Sequence, residues 1–338
     1  MIRAYIKAIE YFVPPKKLTN KDLISDNPSW DVEKIYDKTG IANRYIADDN
    51  VTAVDLAISA GKHFFTKHSN DKNKIDYLIF CTQSPDYFLP TSACIIQNAL
   101  GLNSNLGAID VNQGCSGFVY SLSLAKGLIE TSQATNVLII TSETYSKYIN
   151  KKDKSVRTLF GDGAACSLIS NLESRNEQIS KVTHGTDGSG ADHLIVPHGA
   201  HRHPLDESSN VLYEDKSSNL RSPSDLYMNG NAIYTFTMKK IPIIFNEILE
   251  SNNMTLNDID LVVFHQANKF ILDTIQKKLQ IPEEKMHRSY EEYGNTVSST
   301  IPIGLKLEMD KKKNSAKKIY LILGFGVGLS WAGAIIKL

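Results

Sequence analysis

The chain has 338 residues, 42% hydrophobic and 22% charged, with 37 basic residues balancing 37 acidic ones. That length and apolar share allow one large double unit with a sizeable core, and the zero net charge excludes a global field that gathers nucleic acid or membrane. No apolar run approaches the ~20 residues of a membrane span, no long apolar stretch follows Met1 to suggest a secretory leader, and four isolated cysteines (Cys81, Cys94, Cys115, Cys166) suit reduced thiols in a cytoplasmic protein.

Taken in chain order, helical periodicity is predicted over 52–66, and a strand over Tyr77–Cys81. A helix follows at 92–100, another at 116–131, and a strand at 137–141. The second half repeats the alternation: a helix over 231–251, a strand over 261–265, a helix over Lys269–Leu279 and a strand over 319–323. Continuous apolar strands alternating with helices indicate an α/β protein whose sheets are covered on both faces. The polar stretch from His198 to Ser224 reads as a long loop.

The two halves echo each other. Ile75-Asp76-Tyr77-Leu78-Ile79-Phe80-Cys81 answers to Ile259-Asp260-Leu261-Val262-Val263-Phe264-His265, an offset of 184. Gly114-Cys115 answers to Gly294-Asn295 at 180, and Val137–Ile140 to Ile319–Ile322 at 182. Three pairs in one order at nearly one offset point to a duplicated unit. The echo puts Cys81 and His265 at equivalent strand ends, and Cys115 and Asn295 at equivalent loop-to-helix corners. Such places collect ligand groups in α/β sheets.

Four segments carry chemistry. In Gly114-Cys115-Ser116-Gly117 the glycines permit a tight, strained turn, and a thiol at the start of the next helix gains from the dipole and free N–H groups there. Such a thiol is a candidate for forming a thioester; the other three cysteines read as small buried side chains. His265-Gln266-Ala267-Asn268 places an imidazole beyond a buried strand, and Tyr293-Gly294-Asn295-Thr296-Val297-Ser298-Ser299-Thr300 is a Gly-Asn turn feeding a small-residue helix start. Gly324-Phe325-Gly326-Val327-Gly328-Leu329-Ser330-Trp331 lets backbone approach a ligand closely. It lacks the spacing of a dinucleotide fingerprint, and no βαβ unit follows it. A papain-like use of Cys, His and Asn is the other chemistry this residue set suggests, but it leaves the Gly-Phe-Gly segment and the echo unexplained. His193, His198, His201 and His203 crowd the long loop; without convincing Cys, Asp or Glu ligands they read as a surface cluster, with no metal expected.

As an ordered set these four segments, with Phe160-Gly161-Asp162-Gly163-Ala164 and Lys38-Thr39-Gly40-Ile41, resemble the β-ketoacyl-acyl carrier protein synthase III family over nearly the whole chain. The resemblance implies the α/β thiolase fold: two pseudo-twofold-related βαβαβαββ halves, 1–175 with the nucleophilic cysteine and 176–338 with His and Asn, forming a five-layered αβαβα core. It implies a decarboxylative Claisen condensation of an acyl thioester primer with malonyl-acyl carrier protein. Cys115 would carry the acyl group, the amides of Cys115 and of Gly326 or Val327 (Val327 foremost) would form the oxyanion hole, and His265 and Asn295 would hold the enolate oxygen. No cofactor is implied; the substrates are thioesters of coenzyme A or acyl carrier protein. The expected substrate-binding set is Lys34, Lys154, Phe88, Leu89, Met228, Gly230, Asn231, Asn268 and Phe325, with Phe88 or Leu89 reaching into a homodimer partner. Lys269, Lys277 and Lys278 would dock the acidic carrier, while Lys311–Lys313 and Lys317–Lys318 read as a solvated turn. Many members have a Trp six residues before the Gly of Thr-Gly-Ile, and an Arg, that clamp the adenine of coenzyme A. Here these positions are Lys34 and Lys154, so a carrier-bound primer is plausible. Neither nucleic acid nor membrane is expected as a partner. Two other readings stay open: transfer from acyl-cysteine to a hydroxyl or amine without decarboxylation, and a non-catalytic partner of another synthase.

Overall fold

The computed structural model describes residues 1–311 and 318–338. The predicted turn at Lys311–Lys318 lies for the most part outside the described residues. Two sheets dominate. The first contains Ile2–Phe12, Tyr77–Cys81, Gly107–Val111, Asn136–Glu143 and Gly163–Glu173, and in space these run first, fifth, fourth, second, third. The second contains Thr183–Thr186, Leu261–Phe264, Ile319–Gly326 and Ser330–Lys337, in the spatial order second, third, fourth, first. The order is the same once the second sheet's missing edge is recognised: only a parallel bridge between Val262 and Met286 marks where it would pair. Leu261–Phe264 and Ile319–Gly326 run parallel, as Tyr77–Cys81 and Asn136–Glu143 do, so the repeated Ile-Asp segments occupy equivalent strands.

Side-chain alternation explains the layers. In Tyr77–Cys81, Leu78 and Phe80 join an outer core with Val54, Ala57 and Phe64 of the helix Ala53–Lys67, while Ile79 faces inward. In Ile319–Gly326, Leu321 and Leu323 pack outward on Phe245 and Ile248 of the helix Gly230–Ser251, while Tyr320 and Ile322 face inward. Period-two alternation with both faces apolar is what a sheet between helices requires. The inner space holds the helices Gly117–Glu130 and Thr300–Lys311, which touch both sheets, and helix Lys269–Leu279 packs on Gly230–Ser251. The result is the αβαβα sandwich of the thiolase fold. Each fully buried Phe or Leu contributes on the order of 1.5–3 kcal/mol, and the three clusters run through all layers.

Strand and helix ends differ by up to three residues from the predicted bounds. His265 lies just past its strand, and Cys115 lies one residue before Ser116, the N-cap of Gly117–Glu130. The stretch from His198 to Ser224 is largely loop, fastened by Arg221, which bonds the buried Asp153 at 2.6 Å and Asp215 at 2.6 Å. His198 and His203 stack on each other, and His201 packs at a tilt against Phe88. No group of three His, Cys, Asp or Glu side chains among the described residues could hold a metal ion.

Candidate active site

The site forms on the seam between the halves. Strand Ile319–Gly326 runs against the Cys115 corner so closely that a Cβ on Gly324 would stand 2.6 Å from the Cys115 carbonyl oxygen. Ser116 and Ser330 join the halves through hydroxyls 2.7 Å apart. On the other side, Asn295 N–H donates to Leu159 O at 2.9 Å and Asn295 O accepts from Gly161 N–H at 3.0 Å. The Phe160-Gly161-Asp162 segment is thus the floor on which the Asn295 corner rests. Asp162, fully buried, holds that floor by accepting from Ala47 N–H at 2.8 Å and from Ser146.

The glycines around Cys115 act through space, not through unusual dihedrals. Neither Gly114 nor Gly117 has a positive φ, which differs from the strained turn the sequence suggested. A Cβ on Gly114 would stand 2.5 Å from both Gln83 Oε1 and Val327 Cγ1, and one on Gly117 would overlap Cys81 Sγ. Gly294 does need its freedom: its φ is +65°, and a side chain there would press on the Leu159 carbonyl.

Cys115, His265 and Asn295 line a single narrow cavity of about 80 Å³ with Phe160, Met228, Gly230, Asn268, Phe325 and Gly326. The backbone amides of Val327 and of Cys115 itself bear on the thiol in the direction that favours negative charge on sulfur. Burial pushes this thiol up to about 12, the Val327 amide pulls it back, and the Glu143 carboxyl adds to the rise. The resting group is therefore a thiol; the helix start does not deliver a standing thiolate, because desolvation outweighs it. Burial also pushes the His265 imidazole down to about 3, offset slightly by the backbone of Val297, so the ring is neutral. Its Nδ1 lies 2.8 Å from Thr300 Oγ1. Asn295 Oδ1 accepts from Val297 N–H at 2.9 Å, which leaves the amide's N–H groups for the cavity. Two neutral groups beside a thiol and two backbone donors can hold a developing oxyanion; they cannot supply a permanent positive charge.

Known proteins match this arrangement. The family description "3-Oxoacyl-[acyl-carrier-protein (ACP)] synthase III" fits residues 109–188, and its C-terminal counterpart fits 249–338. The β-ketoacyl-[acyl-carrier-protein] synthase III of Caldanaerobacter subterraneus subsp. tengcongensis is 34% identical over 99% of this chain and 98% of its own length. That of Clostridium perfringens is 36% identical, with 96% of each chain covered. The chain belongs to the β-ketoacyl-acyl carrier protein synthase III family. A crystal structure of a 3-oxoacyl-(acyl-carrier-protein) synthase III superposes with a TM-score of 0.97 at 45% identity, covering 99% of this chain and 100% of that one. The protein is accordingly a condensing enzyme of the acyltransferase type.

Against this synthase frame, the outlying residues divide. Lys34 is exposed and pairs with Asp31 at 3.4 Å, Lys154 opens a short helix after Asp153, and Asn231 is exposed; none of the three lines the cavity. Asn231 misses it because the helix beginning at Gly230 turns that position outward. Phe88 and Leu89 stand out into solvent, 74% and 81% exposed, away from this chain's own cavity. Lys269 and Lys277 line a groove with Asp37, Lys38 and the exposed Phe270, and Lys269 pairs with Asp273 at 3.5 Å. Lys278 does not belong to that groove. Pro242 lacks an N–H, so the carbonyl of Met238 four residues earlier loses its helical partner, and Lys278 Nζ donates to it at 2.7 Å.

The sequence reading passed over Thr300 and Glu143. Glu143, fully buried at a strand end, accepts from Gln83 N–H, Ser84 Oγ at 3.0 Å and Ser298 Oγ at 3.1 Å. Burial pushes its carboxyl up to about 8 against these donors. Thr300 closes the small-residue stretch behind Gly294-Asn295 with nothing in the sequence to mark it as a partner of His265, and a lone acid after a strand carries no sequence signal of burial.

Proposed function

We propose the following division of labour for the decarboxylative Claisen condensation that family membership assigns to this chain. The Cys115 sulfur attacks the carbonyl of an acyl thioester, the bond to the donor's sulfur breaks, and the departing thiol takes the cysteine's proton. The amides of Cys115 and Val327 hold the oxyanion; Gly326 supplies the close approach rather than a donor. Malonyl-acyl carrier protein then enters. Its carboxylate leaves as CO₂, and the electron pair passes to the thioester oxygen, held by His265 and Asn295. The carbanion attacks the acyl-cysteine, the carbon–sulfur bond breaks, and the thiolate takes up a proton to restore the thiol. The product is a 3-ketoacyl thioester.

The single observation that carries this reading is the meeting of Cys115, His265 and Asn295 on one cavity across the seam. A neutral imidazole and a carboxamide whose oxygen is already engaged offer hydrogen bonds, each contributing on the order of 3–4 kcal/mol to a developing oxyanion. Transfer to a hydroxyl or amine without decarboxylation finds no support in the relatives described above. Incubation with acyl-coenzyme A or acyl-carrier protein, followed by intact-protein mass spectrometry, should add one acyl group at Cys115. Subsequent malonyl-acyl carrier protein should release CO₂ and clear the label. An unmodified protein after every donor would sink the proposal.

The carrier protein is the partner we infer for the groove lined by Lys269, Lys277 and Phe270, where lysines beside an apolar ring suit an acidic surface. We further infer a cytoplasmic homodimer with halves 1–175 and 176–338. The exposed Phe88 and Leu89 are available to a second copy's acyl pocket. Lys34 and Lys154, where an aromatic and guanidinium clamp would sit, favour a primer delivered by carrier protein over coenzyme A.

A further inference from the structure

The His265 ring depends on one hydroxyl. Thr300 and His265 are both buried, and Thr300 Oγ1 lies 2.8 Å from Nδ1 and 3.0 Å from the carbonyl oxygen of Val297. A hydroxyl has one hydrogen. Given to the Val297 carbonyl, it leaves Oγ1 only as an acceptor from Nδ1–H, and the neutral ring turns a bare Nε2 to the cavity. Given to Nδ1, it forces the ring's own proton onto Nε2, and the ring becomes a donor. The carbonyl does not need the hydroxyl, because the Thr300 backbone N–H already donates to it. Besides Thr300, the ring meets the edge of Phe325, which cannot set a tautomer, and the backbone of Val297, which competes with the hydroxyl for Nδ1.

We propose that Thr300 is a positioning residue that donates its hydroxyl proton to Nδ1 and so holds His265 as the Nε2–H tautomer, the form able to hydrogen-bond the enolate oxygen. This rests on the role given to His265 in the condensation. It also explains what happens without the hydroxyl. The Val297 backbone bears on the ring in the direction that favours a protonated nitrogen, so its carbonyl would then claim Nδ1–H and the donor facing the cavity would vanish.

The test uses ¹⁵N-histidine-labelled full-length enzyme and two-bond ¹H–¹⁵N spectra, with the His265 signals identified by their loss in His265→Asn. The wild type should show Nε2 protonated and Nδ1 bare. Thr300→Val should shift to Nδ1–H, lose malonyl decarboxylation by about 100-fold, and still acylate Cys115 at close to the original rate. Thr300→Ser should restore both tautomer and decarboxylation. An Nδ1–H ring in the wild type overturns the proposal, as does normal decarboxylation by Thr300→Val. Equal loss of both half-reactions in that variant, with Thr300→Ser no better, would reduce Thr300 to a packing residue. Failure of the wild type itself to acylate or decarboxylate would instead strike the condensation reading, while the spectra would still report the tautomer.

Discussion

Lys278 reaches back to Met238: its ammonium donates to the very carbonyl that Pro242 strands inside the helix Gly230–Ser251. A charged donor on an otherwise orphaned acceptor contributes on the order of 1.5–3 kcal/mol. Lys278→Met should therefore lower stability by about that amount in urea melts and leave carrier-protein affinity unchanged. Lys277→Glu should do the reverse, weakening the carrier without lowering stability. Equal effects of the two on carrier binding would return Lys278 to the docking surface.

Gly326 leaves bare the side of its backbone that faces Cys115; a Cβ would stand 2.6 Å from Sγ. The Cys115 side chain itself, Sγ and Cβ alike, would have to give way. Gly326→Ala should cut Cys115 acylation by at least about 100-fold, the cost of displacing a nucleophile from its oxyanion donors, while circular dichroism stays unchanged. Acylation at wild-type rate would show that the strand can retreat.

Asn295→Ala should separate the half-reactions. Cys115 should still take up the acyl group, and CO₂ release from malonyl-acyl carrier protein should fall by about 10²–10³. Quenched-flow measurement of each step reads this directly. A matching fall in both steps would contradict the role given to Asn295.

Cys115 rests as a thiol because burial pushes it up to about 12. Its alkylation by iodoacetamide should be slow at neutral pH and rise about tenfold per pH unit with no plateau below about pH 10. A plateau near neutrality would mean the helix start outweighs desolvation.

Glu143 adds a pH signature of its own. Its folded carboxyl is raised from 4.5 to about 8, so the native state binds the proton more tightly than the unfolded chain. The stability linked to it is fully present below the unfolded value and is lost as pH rises through about 8. Glu143→Gln lacks this term. The difference in Tm between wild type and variant should move in the variant's favour by several degrees between about pH 5 and pH 9. A pH-independent difference would show a carboxyl that never leaves one protonation state.

Local pattern and duplication were legible from the residues alone. Apolar runs such as Leu261–Phe264 announce strands whatever their neighbours, and the Ile-Asp echo located Cys81 and His265 on equivalent strands. The candidate trio was legible because glycines and turns mark corners. Other features were not legible. That Lys278, read as a docking cation, donates to Met238 O, that Asn231, read as substrate-binding, stands outside the cavity, and that Gly114 and Gly117 keep ordinary dihedrals could not be seen, because sequence spacing does not reveal which groups on distant elements compete for the same space.

The sequence by itself determined the strand–helix alternation, the two-fold repeat and the chemical identity of the three side chains, since these depend on periodicity and residue type. Only the tertiary structure decided that burial raises the Cys115 thiol, that Asn295 Oδ1 is engaged by Val297 N–H, and that the Thr300 hydroxyl reaches the His265 ring. Those outcomes depend on desolvation and on contacts between groups as far apart in the chain as Thr300 and His265 or Gly326 and Cys115, and such contacts exist only once the chain has folded.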